Sequence, residues 1–292
     1  MSPSTGFDGV HFRTCHVPVC RLPFAPLPRT NPVTQHDTSP DVGHERRGIT
    51  PEAALRLIVD RAAEMYRPCG KFTYHFARGK LRTDPAFVTL LSTRLLPTSA
   101  RVLDLGCGQG LLAACLHAAS KCHVEGIWPT AWPAPPLPAS VRGIEIDARE
   151  VERARRALGP LAQIECGDLS VASLRSADAI VMLDVLHYLE PLAQQALIDR
   201  AHEALSLGGV LILRIGNSAG GARFTWSRWV DAISWRLRGR GRAVLHYRTL
   251  AGWTELLGAA GFAVREIPMA GSKSFANVML LATPLATHPL SG

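Results

Sequence analysis

At 292 residues, 47% of them hydrophobic, the chain can form one large or two small domains with a substantial core. No run of about 18 uncharged apolar residues occurs, so no spanning helix is expected. Seven cysteines without a C-x-x-C pair argue against a disulfide framework or zinc module and for reduced thiols in the cytoplasm. The formal charge of +8 is unevenly spread along the chain, which points to an anionic partner.

Residues 1–48 are rich in Pro, Thr, Ser and His, carry little apolar periodicity, and read as a disordered tail. A targeting peptide is the other reading, but no long apolar stretch is present and Asp8, Asp37, Asp41 and Glu45 argue against it. A start codon placed too far upstream remains an equal option. Residues 49–97 form an expected helical cap. Thr50, Pro51 and Glu52 supply an N-cap, a first-turn proline and a first-turn acid for the helix EAALRLIVDRAAEMYR.

Val102 to Leu105 read as a buried strand. It runs into Gly106-x-Gly108-x-Gly110, and the apolar LLAACLHAA follows as a helix. This order makes a nucleotide-binding βα unit, because glycines let the backbone turn sharply and approach a ligand at a helix start. Dinucleotide sites favour the longer G-x-G-x-x-G, with room for a pyrophosphate, so the compressed spacing disfavours a nicotinamide-dependent dehydrogenase.

Two copies of the frame V-x-G-I-x follow, VEGIW and VRGIE, separated by WPTAWPAPPLPAS. The strand is placed at the later copy, residues 141–147, since only it ends in an acid. Its prolines make the insertion at 128–140 stiff and extended rather than helical. Joining a helix to the next strand, it lies at the sheet edge opposite the ligand cleft, so Trp128 and Trp132 are expected to pack on the domain body or a partner subunit.

Gln163–Cys166 reads as a short strand leading to Gly167, Asp168 and Leu169. ADAIVMLDVLHYLE, residues 177–190, is a buried strand with a turn carrying Asp184, His187 and Tyr188. PLAQQALIDRAHEAL is a helix, LGGVLILRIGN (207–217) a turn and strand, and GWTELLGAAGF a helix with a glycine stop. AVREI and FANVMLLATP close the chain as two strands before a tail at 285–292. Alternating strands and helices of this length predict a mostly parallel sheet with helices on both faces.

Between these elements lies a basic segment, 214–248, with eight arginines (Arg214, Arg223, Arg228, Arg236, Arg238, Arg240, Arg242 and Arg248) against one acid, Asp231. Trp226, Trp229, Val230, Ile233 and Leu237 recur on one helical face, and Trp235 projects among the arginines. Residues 217–248 are therefore expected to be a lid. Its charge suits an acyl carrier protein, an anionic membrane surface or, last for want of any binding module, RNA. A solvated face on a packed lid is the plainer reading.

Four ordered segments, RVLDLGCGQG, VRGIEID, CGDL and ADAIVMLDVLHYLE, resemble the motifs of the class I S-adenosylmethionine-dependent methyltransferases over about residues 72–284. The resemblance implies a Rossmann-like seven-stranded, mostly parallel sheet with helices on both faces and a C-terminal antiparallel hairpin strand, spanning residues 98–284. It implies S-adenosylmethionine (SAM) as cofactor, S-adenosylhomocysteine (SAH) as product, and no metal. Gly106, Cys107, Gly108 and Gly110 would form the cofactor loop, with Cys107 a small filler rather than a nucleophile. Asp104 would lie near the ammonium end through water or loop N–H groups. Glu145 would receive the ribose hydroxyls beside Ile146, Asp147 being the alternative. Asp168 and the Leu169 N–H would meet the adenine, and Asp184 would line the cleft. In such proteins the N-terminal helix covers that cleft, although packing on the sheet alone is equally open here.

In-line placement of a nucleophile against the methyl group carries most of such a reaction, and a base helps when the acceptor is an oxygen. His187 is the best-placed candidate base, with His246 and Tyr247 as second choices. The plainer reading is that the L-H-Y-L turn has no acid–base duty. A small-molecule, lipid-like or carrier-bound acyl acceptor is expected, with the protein cytoplasmic or peripheral at a membrane. The competing reading is a cofactor-binding, non-catalytic partner or scaffold.

Overall fold

A computed structural model of the chain describes residues 49–216, 244–269 and 277–285. The tails at 1–48 and 286–292 and the amphipathic helix expected within 217–243 lie outside these residues.

The cap opens with α1 (Pro51–Glu64), where the Thr50 side chain accepts from Ala53 N at 3.3 Å. Its buried residues Ala54, Ile58, Val59, Ala62 and Ala63 recur at helical spacing and turn toward α2 (Lys71–Thr83) and α4 (Leu111–Val124). Asp84 breaks the helical path in an extended conformation and caps α3 (Pro85–Ser92), accepting from Ala86 N at 3.0 Å. Sequence periodicity had suggested only α1; α2 and α3 are additions.

Seven strands among the described residues form one sheet in the order β3-β2-β1-β4-β5-β7-β6. β1 (Arg101–Leu105), β2 (Ser140–Glu145), β3 (Gln163–Cys166), β4 (Ala177–Leu183) and β5 (Leu205–Gly216) are all parallel. β7 (Asn277–Pro284) runs antiparallel between β5 and β6 (Phe262–Ile267), giving the expected terminal hairpin. Strand 5 starts at Leu205, directly after α6 (Pro191–Ala204), and the turn expected at its start is absorbed as an irregularity opposite Ala177 and Ala179.

Alternation along β1 assigns the two cores. Val102 belongs to the core shared with α1–α4 and α5 (Ala148–Leu158). Leu103 and Leu105 belong to the core built with α6 and α7 (Leu250–Ala259). Five parallel strands thus end along one edge, and the strand order reverses between β1 and β4, the crevice where such sheets bind ligands.

The choice between the two V-x-G-I-x copies has a structural answer. In the earlier copy Val124 ends α4 and Gly126 takes φ 73°, with Gly126 N donating to His123 O at 2.9 Å and Ile127 N to Cys122 O at 2.7 Å. That is a Schellman helix stop. The later copy is β2. Between them, Trp128 and Trp132 pack edge to face at 5.3 Å against the cap-side core, and Trp128 Nε1 donates to Pro133 O at 2.9 Å. The insertion packs on the body of the domain.

Candidate functional site

At the end of β1, Gly106 N and Cys107 N both donate to Ile144 O, at 2.8 and 3.2 Å, fastening the glycine loop to β2. Gly106, Gly108 and Gly110 have φ of 76°, 54° and 74°. A Cβ on Gly106 would lie 2.5 Å from Val185 Cγ2, and one on Gly110 would lie 2.6 Å from Leu158 Cδ1. Gly108 faces open space, the position at which a ligand can approach the backbone. The Cys107 thiol fills the gap above Gly143, where an added Cβ would come within 2.6 Å of its sulfur. Burial, together with the Asp104 and Glu145 charges, pushes that thiol well above the usual range, so it is a filler and a poor nucleophile. From the cap, fully buried Tyr66 donates its hydroxyl to Gln109 O at 2.8 Å and pins the loop from the other side.

Two acids sit beneath this loop. Asp104 on β1 is buried, and burial reinforced by the Glu145 charge pushes its carboxyl up to about 7. Glu145, the last residue of β2, accepts from Gly108 N at 3.0 Å through Oε2 and from Asp147 N at 2.8 Å through Oε1. Asp147, the alternative in the sequence, instead caps α5, accepting from Arg149 N at 3.0 Å. Ile146 between them is exposed. Beyond β3, Asp168 accepts from Ser170 N at 2.8 Å, while the Leu169 side chain is buried in the α6-side core.

Past β4 the chain turns at Asp184, whose φ of 56° is left-handed. Arg214, buried on β5, donates from Nε to Asp184 Oδ1 at 2.8 Å and from its two other nitrogens to Asp184 Oδ2 and Asp84 Oδ1. Lys80 reaches the second Asp84 oxygen at 2.8 Å. Burial works against the Asp84 charge, yet Arg214 and Lys80 hold its carboxyl down to about 2. Arg214 therefore does not belong to an exposed basic surface, as its place in the 214–248 segment had suggested. It joins α3 of the cap to the turn after β4, where the Asp184 carboxylate is held by that guanidinium. Arg248, at the other end of the segment, donates to Gln194 Oε1 at 2.8 Å and Pro191 O at 3.3 Å. Arg223 to Arg242 lie outside the described residues.

A single 3-10 turn, Leu186–Tyr188, carries His187 at the strand-end edge. The buried imidazole stacks on Tyr247 with centroids 4.9 Å apart and planes 12° apart, and lies 4.3 Å from the Tyr188 ring. His246 N donates to His187 O at 2.8 Å. The structure thus gathers His187, His246 and Tyr247 into one patch. Sequence reasoning missed Tyr66, Asp84 and Gln194, which act through partners far away in the chain. Gly143 had a readable signal, since glycine inside a strand marks close approach. Among the described residues, no cluster of three or more His, Cys, Asp or Glu is arranged to hold a metal ion, and no helix is long and apolar enough to cross a membrane.

A family model described as a methyltransferase domain matches residues 75–267, more than half of the chain. Carboxy-S-adenosyl-L-methionine synthase of Citrobacter koseri is 28% identical over 134 residues, 44% of this chain and 48% of that protein. The chain spans about half the length of the curated relatives it matches. Among solved structures, an O-methyltransferase family protein from Burkholderia thailandensis superposes with a TM-score of 0.52 at 17% identity, covering 76% of this chain and 63% of that one. A DhpI–SAH complex superposes at 0.51 with 16% identity, covering 79% and 98%. At these identities the solved structures share the fold.

Proposed function

The chain belongs to the class I S-adenosylmethionine-dependent methyltransferases, and from that premise we propose that it binds SAM beneath the glycine loop and transfers the methyl group in line to an acceptor on the His187 side. The observation that carries the reading is the pair of buried acids, Asp104 and Glu145, placed under a loop whose central glycine faces open space. Two buried carboxyls side by side, one of them pushed up to about 7, suit a ligand that brings positive charge.

The residues fit the group. Each Glu145 oxygen accepts one backbone N–H and keeps a lone pair, so the carboxylate can still receive two hydroxyls. Asp104 would face the ammonium end, Ile146 would offer an apolar surface, and Asp168 with the Leu169 N–H would meet the adenine. When bound, SAM supplies an activated methyl on its sulfonium. The chain's own part is to orient that donor, exclude water with the cap, and accept a proton. His187 would take that proton if the acceptor is a hydroxyl or amine.

The proposed acceptor is a small molecule, a lipid-like molecule or a carrier-bound acyl group, and the arginine-rich sequence from Arg223 to Arg242 supports the anionic lipid-like and carrier-bound choices. Incubating the protein with methyl-labelled SAM and extract of its host cell, followed by mass analysis of labelled products, tests the proposal. Label in an acceptor supports it. Appearance of a carboxylated SAM derivative instead would point to the product named for the curated relatives, and unconverted SAM at high protein concentration would leave a cofactor-binding scaffold.

A further inference from the structure

Gln194 lies one turn into α6 and is fully buried. A primary amide on the buried face of α6 that also carries Leu197, Ile198 and Ala201 is costly unless it is hydrogen-bonded. Here its bonds leave its own helix entirely. Nε2 lies 3.0 Å from Leu186 O, 3.1 Å from Leu189 O and 2.9 Å from His246 O, and Oε1 accepts from Arg248 Nε at 2.8 Å. The orientation of the amide is fixed by chemistry: only the nitrogen can donate to carbonyls, and only the oxygen can accept from a guanidinium.

The partners fall in a pattern. Leu186 and Leu189 bracket His187 and Tyr188. His246 and Arg248 bracket Tyr247. One side chain therefore grips the chain on both sides of the His187–Tyr247 stack, and His246 N→His187 O at 2.8 Å closes the same join directly.

We propose that Gln194 is a positioning residue of the acceptor side: its amide staples the turn after β4 to residues 246–248 and so sets the geometry in which His187 meets Tyr247. The proposal rests on the methyltransferase reading only for what His187 faces; the staple itself is independent of it. Gln194 bonds the turn after β4 and residues 246–248 and no atom of the glycine loop, so its loss acts more on the rate of transfer than on cofactor affinity.

The test uses the full chain labelled with 13Cε1-histidine, with the His187 resonance identified from its loss in His187→Asn. In the wild type that resonance carries a ring-current shift from the stacked Tyr247. In Gln194→Leu and in Gln194→Glu, which has no amide donor for Leu186 O, Leu189 O and His246 O, the shift collapses toward the value in Tyr247→Leu. SAH affinity and KM for SAM stay near wild type, and labelled methyl transfer falls about tenfold or more, as expected when only the placement of a reacting group is lost. An unchanged His187 resonance in folded Gln194→Leu would overturn the proposal, as would SAH affinity falling in step with rate. If Gln194→Leu does not fold, Gln194→Glu, which keeps the volume and the acceptor for Arg248 Nε but loses the amide donor, decides by the same resonance. Failure of the wild type to bind SAH would sink the methyltransferase reading alone, since the resonance still reports on the staple.

Discussion

Asp104 and Asp84 are buried carboxyls with opposite histories, and their environments fix two separate pH windows. Asp104 is raised by burial and by Glu145 from 3.8 to about 7, so in the ligand-free protein the folded state holds a proton there that the unfolded chain has already lost. Its contribution to stability is present at pH 4 and declines as pH rises toward 7. Asp84 is held down to about 2, so its contribution is present above pH 4 and lost as pH falls toward 2. Asp104→Asn should leave thermal stability near pH 4 unchanged. At pH 8 it should raise stability by as much as a few kcal/mol, at about 1.4 kcal/mol per pKa unit, while SAH binding weakens. Melting curves at the two pH values check this; equal melting temperatures of variant and wild type at pH 8 would mean that Asp104 is not held near neutrality. Glu145→Ala removes the acceptor for Gly108 N and Asp147 N together with the two proposed ribose bonds. SAH affinity should fall by about 2 kcal/mol at roughly 1 kcal/mol per bond, read by calorimetry. Asp147→Ala removes the α5 cap and should cost about 1 kcal/mol of stability, with affinity unchanged. The reverse outcome would exchange the roles of the two acids.

At the scale of elements, the helix and strand that carry the glycine loop were legible because their signals are local. Val102 to Leu105 form a continuous apolar–acidic run, glycines recur where φ is positive, and the acid at the end of β2 singles out the later V-x-G-I-x copy. The earlier copy is a helix stop, in which Gly126 does what glycine does after a last turn. Tertiary partners were not legible. Nothing in ILRIG tells that Arg214 faces Asp84, 130 residues upstream, and counting charge along the chain placed it with the wrong neighbours. Polar contacts of Tyr66 and Gln194 are equally silent, because a Tyr ending one helix and a Gln in another look like surface residues. The Asp84–Arg214–Asp184 join between α3, β5 and the turn after β4 yields its own expectation. Arg214→Met leaves the Asp184 carboxylate without its guanidinium and buried Asp84 with Lys80 alone, and should destabilise the fold by about 3–5 kcal/mol, whereas Asp84→Asn, which keeps the α3 cap, should cost less. Urea denaturation reads both. A near-neutral Arg214→Met would show that the join is dispensable.

For the whole molecule, the strand order 3-2-1-4-5-7-6 and the cap of α1–α3 set the division of labour. The residues proposed to hold the cofactor gather at the ends of β1, β2 and β3, and the aromatic patch follows β4. A mostly parallel sheet with helices on both faces was readable from alternating patterns, and the seven strands with their antiparallel end came with the methyltransferase resemblance; the position of the cap's second and third helices was not legible, since their short apolar faces give weak periodicity. The basic segment carries the expectation for a partner. If it meets an anionic carrier or membrane, replacing Arg236, Arg238, Arg240 and Arg242 with Ser should abolish turnover of the carried substrate without changing SAH affinity. Wild-type turnover should also fall steeply with salt, since exposed charge pairs are screened over about 8–10 Å near physiological ionic strength. Full activity of the four-arginine variant at low salt would favour a small, uncharged acceptor. Calorimetric titration of the protein with SAH and with NAD tests whether the site under the glycine loop is built for SAM. The compressed glycine spacing and the Asp104–Glu145 pair predict that SAH binds, that Glu145→Ala weakens it, and that NAD does not compete; tighter binding of NAD than of SAH would contradict the assignment.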